Sequence, residues 1–418
     1  MKDILSSLIT KVTVQLARFL LYRGLILCSY SDAFGHQVWN IEHHSRKYYS
    51  IFKKFPRVIA FQVSPNIPNK ALLDHHRQHH VWVVSSRNIL SRLFYLSRTK
   101  WAHTRGLRSY RPGQTQLSIS RSETPEEEEI NTLIFCRYSA NALHIDPKVD
   151  QNSAIAFPLT NREKDRATQF LFSENLEKYR FFCFLDHNTA YKTKQAEHIG
   201  SKFISSEIYE RARTTTLESY FPVADLMHRK GLSAVRLGAS PDKYATDPII
   251  NDYASRRTGG NDFSDLALMN YCKFFVGPNT GIWAFARAFN RPTCLINAFP
   301  WPWINIPMSE PSVVVPKKLW HTSEKRFLTI TEMTEMETRF YWKKFYDHVF
   351  YQELSIEVVE NTPQEITGAV IEINDRIDGV WAGPSFPVTD FLTKNNLGFS
   401  STAYLSSYFV DENKDLFP

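Results

Sequence analysis

Residues 273–297 read KFFVGPNTGIWAFARAFNRPTCLIN. The run 273–276 is apolar and of strand length, and Gly277-Pro278-Asn279-Thr280-Gly281 stops it with turn-forming residues. Positions 282–289 then read as a helix and 293–297 as a second apolar strand. A strand that passes through a glycine loop directly into a helix and on to another strand is one βαβ unit. Working upstream, 216–229 reads as a helix opened by Thr215-x-x-Glu218, a capping-box pattern, and stopped at Gly231. A strand at 233–237, a short strand near 249–250 and a helix over 262–271 follow, and 132–136 (TLIFC) reads as a further strand. Strands recurring at about 20–25 residues are those of a doubly wound parallel sheet.

The amino-terminal third alternates in the same way. A strand at 24–30 (GLILCSY) ends in the turn residues 31–35. A helix over 38–49, strands at 57–63 and 81–84, and a helix near 86–96 follow. Residues 112–130 are polar, include four consecutive Glu and have no apolar period, which makes them a linker or a solvated loop. Helices are expected at 331–347 and at 362–376, the latter with Pro363 in its first turn. The expectation is an α/β protein of two Rossmann-like domains facing across a central cleft, with C-terminal helices. The domains would span 1–125, 126–345 and, for the helices and tail, 346–418.

The net charge of +7 conceals a split. Residues 1–125 carry 19 Lys/Arg and 5 Asp/Glu, and the remainder carries 31 and 38. Five cysteines without a CxxC spacing fall in apolar runs, which suits a reduced, cytoplasmic-type protein. No clean apolar run is long enough to span a bilayer or to read as a cleaved signal. An amphipathic helix is expected over 3–20, with Lys and Arg on its polar side. It either packs on its own domain or touches a membrane surface.

In doubly wound sheets ligands sit at the carboxyl ends of strands, so the residues just past each strand are the site candidates. After 24–30 come Gly35, His36, Asn40 and Glu42. His36 is a candidate general base, and a locally bonded histidine is the competing reading. Arg137 after 132–136, Arg213 before the helix at 216, and Arg236 at the end of 233–237 suit an anionic phosphate, with structural ion pairs as the alternative. Gly277, Asn279, Thr280 and Gly281 form a loop that could cradle a diphosphate at a helix start. Neither GxGxxG nor GxxxxGK[ST] occurs, so dinucleotide and P-loop readings lose support. In the acids opening the 262–271 helix, Asp262 and Asp265, N-capping accounts for at least one. The histidines of 74–80 (DHHRQHH) lack a Cys or carboxylate partner at a diagnostic spacing and read as a solvated loop rather than a metal site.

The stretch 213–300 resembles a family of bacterial glycosyltransferases of surface-carbohydrate gene clusters. The resemblance rests on Arg236-Leu237-Gly238, Ile250-x-Asp252-Tyr253-Ala254, Asp262-Phe263-x-Asp265, 272–277, Thr280-Gly281 and Asn297-x-x-Pro300. Arg137-x-Ser139-Ala140 and Gly35-His36-x-x-x-Asn40-x-Glu42 are similar to two upstream elements of that family, and 275–297 is similar to the donor site of heptosyltransferase-like enzymes. Two departures stand out. Tyr138 and Asn141 replace the Asp and Tyr of the arginine element, and 180–185 adds a strand-like run.

The resemblance implies a GT-B fold and a metal-independent glycosyltransferase without a cofactor, moving a sugar from a nucleotide-sugar to a surface-polysaccharide or lipid-linked glycan. Arg137, Arg213, Arg236, Gly277, Asn279, Thr280 and Gly281 would bind the donor, His36 would act as base, and Gly35, Asn40 and Glu42 would lie on the acceptor side. Trp301 and Trp303 either wall a pocket or simply pack. A non-catalytic nucleotide-sugar or carbohydrate-binding protein of a polysaccharide assembly complex is the alternative. The basic first third and the amphipathic first helix suit an anionic membrane surface on the cytoplasmic leaflet. Nucleic acid is not an expected partner, since no reader motif occurs.

Overall fold

The computed structural model describes residues 2–30, 34–63, 65, 67, 69–104, 130, 133–134, 154–187, 214–238, 243–257, 263–299, 309–339, 348–394 and 402–417. The chain forms two compact units, Met1–Arg162 and Glu163–Pro418.

The first unit is a three-layer α/β/α sandwich. Strands β1 (Leu25–Tyr30), β2 (Arg57–Gln62) and β3 (Val81–Val84) form a parallel sheet in the order β1-β2-β3. All six residues of β1 are buried, as a strand covered on both faces requires. Its alternate residues serve two cores. Ile26, Cys28 and Tyr30 pack with Ile41 and Tyr48 of helix α2 (Phe34–Phe52) and Leu73 of α3 (Lys70–Gln78). Leu25 and Leu27 pack with Val14 and Ala17 of α1 (Lys2–Tyr22) and Phe94 of α4 (Ile89–Thr104).

Leu133 and Ile134, expected in a strand, are instead a helical residue and a turn residue. Each is buried in one of these two cores. A five-residue apolar run carries no period that separates a buried strand from a buried helical turn.

In the second unit an eight-stranded sheet runs β13-β14-β9-β8-β7-β4-β5-β6. Its strands are β4 (Phe181–Phe184), β5 (Ser233–Arg236), β6 (Ile250–Asn251), β7 (Phe275–Gly277), β8 (Thr293–Ala298), β9 (Val313–Pro316), β13 (Phe386–Pro387) and β14 (Tyr404–Leu405). Every pairing is parallel except that of β13 with β14. A small antiparallel sheet joins β10 (Lys318–His321), β11 (Arg326–Phe327) and β12 (Ile356–Val359). The mixed α/β class with a large parallel sheet is as the sequence predicts.

The order of strands reverses within this sheet. From β4 the chain steps outward to β5 and β6, returns to lay β7 on the other side of β4, and steps outward again to β8 and β9. The order therefore reverses between β4 and β7, where a doubly wound sheet opens a crevice at its carboxyl edge. The strand-like run 180–185 supplies β4 itself.

The expected helix 216–229 begins later, as the α-helix Phe221–Arg229, after a 3-10 turn at Leu217–Tyr220. Its capping box does not form, because Thr216 bonds Ser219 Oγ and the Thr215 hydroxyl accepts from Asn297. The box at Thr362 and Glu365 does form and opens the helix Pro363–Ile377. No described helix is long and apolar enough to cross a membrane.

Candidate functional site

The crevice between β4 and β7 begins where their pairing ends. Leu185 N–H donates to Val276 O at 3.0 Å, and the Tyr220 hydroxyl donates to Leu185 O at 2.6 Å. Gly277 follows the last β4–β7 pair, and a Cβ there would meet the Phe275 ring at 2.8 Å and Leu185 Cβ at 3.4 Å. Beyond it, Asp186 and His187 continue from β4, and Pro278, Asn279, Thr280 and Gly281 continue from β7.

Asn279 ties this loop to the end of β8, its Nδ2 donating to Phe299 O at 2.7 Å. The Thr280 N–H donates to Pro278 O at 2.7 Å, which turns the chain tightly. Thr280 is 5% exposed, and its hydroxyl has no hydrogen-bond partner among the described residues. A buried hydroxyl left in that state costs about 1–3 kcal/mol relative to a satisfied one. Gly281 is exposed and leads into a helix of six residues, Trp283–Ala288. So short a helix has a weak dipole, and the loop's own groups matter more than the helix behind it.

Arg236 does not face this crevice as an open cation. Its Nε and Nη2 donate to Asp186 Oδ1 and Oδ2, both at 2.6 Å, and its Nη1 donates to Lys243 O at 2.7 Å and Asp252 Oδ2 at 3.2 Å. The side chain is 1% exposed. Burial pushes the Asp186 carboxyl up, and the Arg236 guanidinium opposes that shift. The expected phosphate ligand is thus engaged by two carboxylates and joins the ends of β4 and β5 to Asp252, which also caps the helix Tyr253–Arg256. Asp265 is likewise paired, with Arg257 at 2.8 Å.

Polar groups also gather past β8 and β9. Asn297 and Asn361 exchange bonds, the N–H of each donating to the side-chain oxygen of the other at 2.5 and 2.7 Å. Asn297 Nδ2 donates to Thr215 Oγ1 at 3.0 Å. Lys317, directly after β9, is buried, with its Nζ 3.3 Å from Thr214 O and 3.9 Å from Glu360 Oε1. Burial pulls its pKa down to about 8.

In the first unit, Gly35, His36, Asn40 and Glu42 all lie on α2, which starts at Phe34, before the expected 38. Asn40 Nδ2 donates to Ser29 Oγ at 3.0 Å and to Ser29 O at 3.3 Å. Glu42 pairs with Arg46 at 2.6 Å, both side chains buried. These two expected acceptor-side residues are internal packing elements, because α2 turns them toward β1 and along its own buried side.

The histidine run also departs from its reading as a solvated loop. It forms helix α3 with His75 and His76 each 2% exposed. Burial, then the neighbouring His75 and His79, hold His76 well below the ordinary imidazole pKa. Its ring packs edge-on against Tyr30 and Phe157.

Arg137, Arg213, Asp262, Trp301 and Trp303 lie outside the described residues. Of the sequence candidates, the structure therefore joins Gly277, Asn279, Thr280 and Gly281 in one loop and takes Arg236, Asn40 and Glu42 into internal bonding. Sequence reasoning missed Asp186, Lys317 and Asn361. Lys317 directly follows β9 and Asp186 lies two residues past the end of β4, and that position is the signal that finds them.

Three solved structures to which this chain is similar are glycosyltransferases. One is the glycosyl transferase family 9 protein from Veillonella parvula DSM 2008, with 13% identity, 65% of this chain and 80% of that one covered, and a TM-score of 0.36. The ADP-heptose lps heptosyltransferase II of E. coli has 13% identity, coverage of 79% and 99%, and a TM-score of 0.38. The E. coli heptosyltransferase WaaC with ADP has 11% identity, coverage of 65% and 86%, and a TM-score of 0.26. No family model and no curated protein matches the sequence.

Proposed function

We propose that this protein is a glycosyltransferase whose second unit binds a nucleotide-sugar at the β4–β7 crevice. The observation that carries the reading is the Thr280 hydroxyl. It is buried at the carboxyl edge of a doubly wound sheet, where the strand order reverses, and has no described partner. A hydroxyl held dry and unsatisfied is a ready donor to a diphosphate oxygen, and ligand binding removes its cost. Gly281, exposed beside it, is the proposed neighbour of the phosphate, and Asn279 holds the loop in place.

Arg137 and Arg213 are the proposed cations for the leaving diphosphate, in place of a divalent metal. Arg236 is withdrawn from that role by its carboxylate partners. His36, in the first turn of α2, is the proposed base toward a sugar hydroxyl of a surface-polysaccharide or lipid-linked acceptor. The basic excess of the first third suits an acceptor carrying phosphate. A cytoplasmic setting is proposed from the apolar runs that hold the cysteines, of which Cys28, Cys183, Cys272 and Cys294 are buried.

The test is release of free nucleotide from ADP-, UDP-, GDP- and CMP-sugars, with and without a lipid-linked acceptor and with chelator present. Acceptor-dependent release that survives chelation and falls on Arg137→Ala and His36→Ala is expected. Binding of a nucleotide-sugar without turnover across the panel would replace the enzyme with a non-catalytic binding protein.

A further inference from the structure

The outward side of α1 is apolar where a surface helix normally turns charge to water. Val14 and Ala17 face inward against Phe94 of α4 and Leu25 and Leu27 of β1. On the other side Leu8, Val12, Leu16 and Phe19 are between 52% and 61% exposed. At about 100° per residue these four positions share one arc of roughly 80°. Helix α4, packed beside α1 on the same face of the sheet, adds Ile89 and Leu96, 62% and 44% exposed. The sequence predicted an amphipathic helix with Lys and Arg on its polar side. The structure keeps Lys11 exposed but sets it at the margin of an apolar stripe.

Scattered apolar residues on a surface need no explanation, whereas a stripe continued across paired helices does. Its margin is of one sign. Lys11, Arg23 and Arg92 are exposed. Across α1 and α4 the charged residues are Lys2, Lys11, Arg18, Arg92, Arg98 and Lys100 against a single acid, Asp3.

We propose that the outer face of α1 and α4 docks the protein on an anionic lipid bilayer. The apolar stripe enters the boundary between headgroups and acyl chains, and Lys11, Arg23 and Arg92 meet headgroup phosphates. A second copy of the chain is a poorer occupant. A two-fold contact through this face would set basic margins against each other with almost no acid to pair them. The face lies wholly in the first unit and does not depend on the transferase reading. Either can fail while the other stands.

The test is co-sedimentation of the full-length protein with vesicles of phosphatidylcholine alone and with phosphatidylglycerol added, at low and high salt. Binding to the anionic vesicles only, weakened by salt, is the expected result. Leu16→Ser with Phe19→Ser should weaken it about tenfold or more. Lys11→Gln with Arg23→Gln should weaken it roughly fivefold per charge removed. All four positions are solvent-exposed or marginal, and unchanged melting curves show that each variant remains folded. Equal binding to neutral vesicles, or full binding by the Leu16/Phe19 variant, would overturn the proposal. So would a stable dimer in sedimentation velocity that the same variant dissociates, which would make the face a protein contact.

Discussion

The crossovers out of β1 and out of β7 look alike in sequence, each a buried strand followed by glycine and a polar cluster, and they fold to opposite ends. After β1 Asn40 and Glu42 turn inward and find partners in Ser29 and Arg46, although Gln37 Oε1 and Ser45 Oγ on the same helix are buried with no partner among the described residues. After β7 the Thr280 hydroxyl is equally buried and has no described partner. Polarity after a strand is therefore not the mark of a site. What sets the β7 loop apart is that its buried hydroxyl, without a partner among the described residues, lies where the strand order reverses. On the proposed reading, a bound ligand would restore the stability given up there.

The sharpest way to break this contrast is at Glu42. Removing one partner of a buried ion pair leaves an uncompensated charge, so Glu42→Ala should destabilise the protein by about 3–5 kcal/mol in urea unfolding. A mild effect on stability together with a loss of acceptor turnover would return Glu42 to the site and erase the distinction.

Lys317 sharpens the contrast within the second unit. Its folded pKa of about 8 lies below the usual lysine value of 10.5, so the unfolded chain binds the proton more tightly between those values. Stability then rises with pH from about 8 to 10.5, and the full penalty applies below 8. Lys317→Met should stabilise the protein by about 2 kcal/mol near neutral pH, with the gain vanishing toward pH 10.5. A destabilised variant at neutral pH would show that the bond to Thr214 O outweighs the buried charge.

The first unit should respond in the acid direction. His76 is held neutral, its pKa depressed chiefly by burial. Its contribution is complete above the usual imidazole value of about 6.5 and is lost as pH falls below that toward the folded pKa. Melting temperature should therefore drop between about pH 6.5 and pH 5, and His76→Phe should flatten the drop. An unchanged acid slope in that variant would place the sensitivity elsewhere.

Much of the second unit's framework was legible, because apolar runs bounded by Gly, Pro and Asn mark strands wherever both faces are covered. The loop 277–281 was legible for the same reason. What periodicity does not encode is the order of strands. The run 180–185 could be seen as a strand but not as the neighbour of β7. The partner of Arg236 is Asp186, at a separation of 50 residues, and only sheet order brings the two together. Leu133 and Ile134 were misread because so short an apolar run has no period. The histidines of α3 were misread because a neutral imidazole is an aromatic ring to a core, whatever its polarity on paper. The outward apolar stripe of α1 was hidden because that helix is apolar on both sides, and only its packing partner decides which side remains exposed.

The central claim is that Thr280 is left unsatisfied for a nucleotide-sugar. Titration calorimetry of ADP-, UDP-, GDP- and CMP-sugars into wild-type protein and Thr280→Val, alongside melting curves, tests it most directly. A hydrogen bond to a charged oxygen is worth about 1.5–3 kcal/mol, so the variant should bind at least roughly tenfold more weakly. With the unsatisfied hydroxyl gone, it should also melt slightly higher, by about 1 kcal/mol of stability. Wild-type affinity in the variant, or no binding of any nucleotide-sugar to the wild type, would contradict the account.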